Sequence, residues 1–134
     1  MQIDGGCHCG HITYRADIDP ERVVICHCTD CQALSGSAYR FVAFTREDAL
    51  EILTGELKIY VKVADSGRER AQAFCPECGS AIYATSTGEG SKVYGLRAGT
   101  IVQRAELVPR RQIWHRSALN WVEDLRALPR TAEQ

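Results

Sequence analysis

A mainly β fold is predicted by three observations. Short runs of alternating or β-branched residues, separated by turn residues, recur along the 134-residue chain. Helix signals are confined to two short places. Seven cysteines fall into three tight clusters, Cys7-x-Cys9, Cys26-x-Cys28-x-x-Cys31 and Cys75-x-x-Cys78, and each lies beside a β-type run.

The elements follow in order. Residues 12–16 alternate, with Ile12, Tyr14 and Ala16 on one face and Thr13 and Arg15 on the other. Val23, Val24 and Ile25 lead into the second cysteine cluster, and residues 29–34 can form about one helical turn. Residues 39–45 are aromatic and β-branched. Segments 50–53 and 57–63 flank Thr54-Gly55-Glu56, which reads as a hairpin turn. Residues 70–74 run into the third cluster, and Ala81, Ile82 and Tyr83 leave it. A polar loop over 86–91 precedes a strand at 92–96. Near the C-terminus Ser117 is placed to cap a short helix presenting Ala118, Trp121, Val122 and Leu125 on one face, with Pro129 beyond its end. No repeat or linker interrupts the chain, so 1–134 reads as one domain.

Composition narrows the function classes. A net charge of -1, without a run of basic residues, gives no electrostatic case for nucleic-acid binding. The start, Met1-Gln2-Ile3-Asp4-Gly5-Gly6, lacks a secretory signal, and no stretch approaches the roughly 20 apolar residues of a membrane span. A cytoplasmic location is the expectation, and its reducing milieu keeps thiols available for metal.

Cysteines one or two residues apart rarely reach disulfide geometry, whereas thiolates so spaced can converge on one ion. Cys7 and Cys9, at i and i+2 of an extended segment, form a two-sulfur clamp. Cys75-Pro76-Glu77-Cys78-Gly79 forms a second, in which proline stiffens the turn and Gly79 can adopt a positive φ. Together they supply the four ligands of a closed, structural zinc site. Cys26, Cys28 and Cys31 supply only three, and an open fourth position is the mark of a zinc that binds substrate. A closed second structural zinc and a redox-sensing or unmetallated thiol cluster are the alternatives. His8, His11 and His27 each alternate with ligand cysteines and are expected to face away from the metals. A zinc ribbon joining Cys28 and Cys31 to Cys75 and Cys78 is disfavoured, because 43 residues intervene against the roughly 15 to 20 of that pattern.

Several residues are candidates for contacting a substrate at the open position. Ser35, Ser37 and Tyr39 follow the triad closely, with turn formation and packing as their plainer roles. Arg97, Arg104, Arg110, Arg111 and Arg116 could clamp carboxylates or form a solvated basic face. His115 is a candidate general base, with packing as its plainer role, and Trp114 and Trp121 read as core, with a pocket wall as the second reading.

The ordered motifs Gly6-Cys7-x-Cys9-Gly10, Cys26-His27-Cys28-x-x-Cys31, Ser35-Gly36-Ser37 and Phe74-Cys75-x-x-Cys78-Gly79-Ser80, with the later Pro109-x-x-x-Ile113-Trp114 and Trp121, resemble the glutathione-dependent formaldehyde-activating enzyme (Gfa-like) family. It is also called the centromere protein V/Gfa domain family. The resemblance spans roughly residues 5–130. It implies a β-tent fold, in which small antiparallel sheets lean together around two zinc ions, here with one short C-terminal helix. It implies a structural zinc on Cys7, Cys9, Cys75 and Cys78 and a substrate-side zinc on Cys26, Cys28 and Cys31. It further implies carbon–sulfur lyase-type chemistry on a small thiol or its aldehyde adduct, after the pattern of S-hydroxymethylglutathione formation from glutathione and formaldehyde. The competing class is a non-catalytic zinc-binding module for protein interaction.

Overall fold

The structure is a computed structural model describing residues 1–134. Eight strands form a single hydrogen-bonded sheet, and the one α-helix, α1 (Thr29–Ser35), follows the second strand. The strands are β1 (Gln2–Gly6), β2 (Thr13–Cys26), β3 (Arg40–Thr54), β4 (Lys58–Val63), β5 (Glu69–Phe74), β6 (Ala81–Ser86), β7 (Gly95–Arg97) and β8 (Arg111–Ile113). Their order is β1-β2-β3-β7-β6-β5-β4, antiparallel throughout, while β8 runs parallel to the end of β2. The mainly β class is as the sequence implies. The leaning halves of a tent are here joined into one bent sheet.

The bends lie in the two longest strands. Register shifts between Ala16 and Val23 interrupt the β2–β3 ladder, so runs that the sequence presents as separate short strands are halves of one strand each. The curl brings β1 back against the far side, where Gly5 bridges to Ile101 and the Asp4 carbonyl accepts from the Val102 amide. β1 itself has no alternating signature beyond Ile3, which is buried at 1% exposure, and sequence patterning does not reveal it.

Period-two alternation gives the sheet two unlike faces. Val23, Ala43, Leu96, Tyr83 and Ala73 stand in register across five strands, and four of them are essentially inaccessible. With Ile3, Ile12, Tyr14, Ile18, Ile82 and Ile101 this face makes the core. Each large aliphatic side chain there contributes roughly 1.5–3 kcal/mol by leaving water. The opposite face carries Val24 and Cys26 on β2, Arg40, Val42 and Phe44 on β3, Gly95 and Arg97 on β7, Ala84 on β6 and Gln72 on β5. That second face is where the cavity lies.

Three expectations are corrected. Thr54-Gly55-Glu56 is not a hairpin turn: β4 pairs with β5, and β3 with β2 and β7. The turn instead passes under the first cysteine loop, where Gly55 has φ +80° and a Cβ would stand 2.4 Å from the His11 carbonyl oxygen. The C-terminal helix is replaced by 3-10 turns at His115–Ser117 and Leu125–Ala127. β8 fixes the approach of this segment, Trp114 turns it through a positive φ of 55°, and only Val122 finds a buried place. A helix with one apolar anchor has no packing to offset its nucleation cost. Trp114 and Trp121 are accordingly not core; they are 46% and 52% exposed. No helix is long and apolar enough to cross a membrane.

Candidate metal centres and the adjoining cavity

Cys7 and Cys9 sit in the turn between β1 and β2, and Cys75 and Cys78 in the turn between β5 and β6. The curl of the sheet brings these turns together, and the four sulfurs lie within 4.8 Å of one another. A tetrahedral ion with metal–sulfur bonds of about 2.3 Å, the zinc value, sets its sulfurs roughly 3.8 Å apart. The Cys7–Cys9 and Cys9–Cys75 sulfurs are 3.6 and 3.8 Å apart, so this cluster could hold such an ion with little movement. All seven cysteines are unbridged.

Local backbone prepares the cluster. The Ile12 amide donates to the Cys7 sulfur at 3.2 Å, favouring its thiolate. Gly79 has φ +77°, as its position in the knuckle requires, although its amide donates to the Cys75 carbonyl rather than to a sulfur. The Ser80 hydroxyl, 3.2 Å from the Cys78 sulfur, leads the contacts that hold that thiol down at about 5.

Cys26, Cys28 and Cys31 form the second cluster, also within 4.8 Å. Cys26 ends β2, Cys28 caps α1, and Cys31 lies in the first turn of α1, with its amide donating to the Cys28 sulfur at 3.2 Å. The Cys31 contact holds the Cys26 thiol down, while the same contact and then burial push Cys31 up. At neutral pH the cluster therefore retains protons that an entering ion would have to displace, so that metal affinity there would rise with pH.

The two clusters differ in what adjoins them. All three cysteines of the triad line a cavity of about 450 Å³, to which the four-cysteine cluster contributes nothing. That volume lies within the usual range of small-ligand sites. The second sheet face is its floor, α1 one wall, and a C-terminal strap carrying Ile113, Trp114, Arg116 and Ser117 another. Lys62 of β4 reaches Asp30 of α1 at 2.6 Å and ties the sheet's last strand to that wall.

The strap is fixed from behind by His27. This residue is 1% exposed and belongs to neither cluster; its Nε2 lies 2.6 Å from Gln112 Oε1. Gln112 in turn donates from its amide nitrogen to Glu123, which also holds His115 Nε2 at 2.8 Å. With the Gln112 nitrogen facing a carboxylate, its oxygen must accept, so His27 carries its proton on Nε2. Gln32 completes the tie by donating to the carbonyls of His27 and Ser117.

Other candidates separate cleanly. Ser35 donates to the Cys31 carbonyl and Tyr39 packs edge-on against His27; neither lines the cavity, and neither does Ser37. Of the five arginines near the C-terminus, Arg97 and Arg116 line it, whereas Arg104 donates to Ile101, Arg110 pairs with Glu21, and Arg111 is exposed on β8 outside the cavity. Arg116 lies over the Trp114 ring at 5.0 Å, giving Trp114 the role of cavity wall. His115, bound to Glu123, is not among the lining residues of this cavity. Sequence reasoning missed Arg40, which is 4% exposed directly opposite Cys26. The available signal was a charged residue heading a strand whose alternate positions, Val42 and Phe44, are apolar. Burial, with the Arg40 charge adding, draws the neighbouring Arg97 guanidinium down to about 9.

A family model described as glutathione-dependent formaldehyde-activating enzyme matches residues 2–117. The chain belongs to that family. All seven cysteines of the Gfa-like motifs, the cavity floor and most of the strap fall within the matched span. A crystal structure of a Rhodobacter sphaeroides protein shares the fold, with a TM-score of 0.61 and 19% identity, covering 81% of this chain and 98% of that one.

Proposed function

We propose that this protein is a zinc-dependent enzyme of the carbon–sulfur lyase type, acting on a small thiol or its aldehyde adduct in the manner of S-hydroxymethylglutathione synthesis. One observation carries the reading: the three-cysteine cluster opens into the cavity, and the four-cysteine cluster does not. Cys7, Cys9, Cys75 and Cys78 are assigned a structural zinc, and Cys26, Cys28 and Cys31 a zinc with one position free. Family membership supports both the metal and the reaction class.

Bound at the triad, zinc would supply a position at which a substrate thiol loses its proton and becomes a nucleophile towards an aldehyde carbon. The chain's own residues do the rest. Three converging sulfurs leave their free side towards the cavity and orient what enters. Val24, Val42 and Phe44 provide an apolar floor that keeps water from the reacting carbon. Arg40, fixed in the floor beside Cys26, stabilises negative charge at the sulfurs and on the oxygen formed when sulfur adds to carbon.

Cobalt substituted for zinc tests the reading. Glutathione should intensify the thiolate-to-cobalt charge-transfer band, and formaldehyde added with it should be consumed. A band indifferent to every small thiol would sink the enzyme assignment in favour of a non-catalytic binding module.

Metal release provides a second measurement. A ligand set with all four positions filled by protein exchanges more slowly than one with a free position. A mild chelator is therefore expected to remove about one equivalent of zinc early, with the circular dichroism unchanged. Simultaneous loss of both equivalents would contradict the division into closed and open sites.

A further inference from the structure

The cavity floor holds arginines whose hydrogen-bonding capacity the fold leaves unused. Arg40 is 4% exposed, yet its Nε and one terminal nitrogen have no partner. Arg97 stands opposite Val42 on the same sheet face as Arg40, and its Nε also lacks a partner. Its Nη2 donates to Gln72 at 2.6 Å, which holds the guanidinium in place rather than neutralising it. Neither arginine forms a salt bridge. A guanidinium stays charged in a protein, and an unpaired buried ion costs several kcal/mol, so a fold rarely carries one without a counter-ion.

The triad's own charge is insufficient as that counter-ion. Three thiolates and one divalent zinc leave a single net negative charge, against Arg40, Arg97 and the half-buried Arg70 on the same floor. Neither Arg40 Nε nor Arg97 Nε donates to a sulfur. The rim does not change the count: Lys62 pairs with Asp30, and Arg116 and Asp65 add one charge of each sign. The metallated floor thus carries two unanswered positive charges beside an open thiol position. A substrate that is both thiolate and carboxylate neutralises them, whereas a thiol ending in a phosphate dianion overshoots.

We propose that Arg40 and Arg97 form a carboxylate-binding subsite on the cavity floor, and that the substrate is a thiol, or its aldehyde adduct, with a carboxylate a few bonds from sulfur. The inference rests on the preceding assignment of the triad as the thiol site, and it narrows the substrate class. Unpaired N–H groups on two neighbouring guanidiniums suit the two oxygens of one carboxylate. Arg40, cross-strand from Cys26, places that carboxylate next to the metal ligands.

Two measurements on the intact 134-residue chain decide the matter. With the cobalt form, 3-mercaptopropionate should bind about tenfold more tightly than its neutral isostere 3-mercaptopropionamide, as expected of a charge-assisted contact. Arg40→Gln should erase the preference, so that the two thiols bind the variant equally. With the zinc form, propionate, which has no thiol, should shift the Arg40 Nε–H resonance; this arm needs no substitution and so survives a variant that misfolds. Equal binding of the two thiols, or an Arg40 resonance unmoved by propionate, overturns the subsite and leaves thiol binding intact. If neither thiol alters the cobalt band while propionate still shifts Arg40, the carboxylate subsite stands and the thiol assignment of the triad falls.

Discussion

Cys78→Ser should lower the melting temperature by at least about 10 °C or leave the protein insoluble, whereas Cys31→Ser should fold. Cys78 sits at the outer end of its knuckle, with its sulfur against Ser80 rather than in the core, so serine there removes one of the four sulfurs proposed to hold zinc without opening a hole. What would be lost is the tie that this ion would make between the β1–β2 and β5–β6 turns. Metal binding free energy is folding free energy, and a loss of only about 3 kcal/mol in a protein of this size lowers the melting point by roughly 10 °C. Cys31 belongs to a cluster whose other two cysteines are fewer than six residues away, and an ion held there would tie no distant strands together. Thermal melts of the two variants and of the chelator-stripped native protein check this. The stripped protein should melt near Cys78→Ser; identical melting of the two variants would undo the structural assignment.

Gly55→Ala is the second large effect. The residue has φ +80°, which costs an L side chain about 1 kcal/mol or more, and the added Cβ would lie 2.4 Å from the His11 carbonyl oxygen. The obstacle is backbone, and the Thr54 hydroxyl already donates to that carbonyl at 3.1 Å, so neither side yields easily. A destabilisation of roughly 2–4 kcal/mol is expected, combining left-handed strain with overpacking. His11 is two residues from Cys9, so the displacement should weaken metal retention at the four-cysteine cluster and spare the triad. Denaturant unfolding with zinc-release kinetics reads both parts; a variant within about 0.5 kcal/mol of the parent would show that the turn adapts.

How much was legible beforehand follows from the range of the interactions. The two cysteine groupings could be read because thiol spacing is local and chemically unambiguous. The strands around them could be read because aliphatic alternation is local too. The pairing of β4 with β5 could not, since Thr54-Gly55-Glu56 has the composition of a hairpin turn and only the distant His11 backbone reveals why glycine is there. The C-terminal helix failed for a similar reason: Ala118, Trp121, Val122 and Leu125 have helical spacing, but β8 leaves them no surface to cover. Arg40 went unnoticed because its meaning depends on Cys26, its partner across a ladder that the sequence does not specify.

The separation of the ligands along the chain has a consequence for biogenesis. The triad is complete once residue 31 has left the ribosome, and three thiols within six residues can capture an ion before any strand pairing exists. The other cluster needs Cys9 and Cys75, whose sulfurs are 3.8 Å apart across 66 residues of chain, and so cannot form until the sheet has curled. Long-range contacts of that kind come late in folding. Metal at the triad would thus record only that the nascent chain met zinc, whereas metal at the second cluster would certify that the sheet had curled and brought its two turns together.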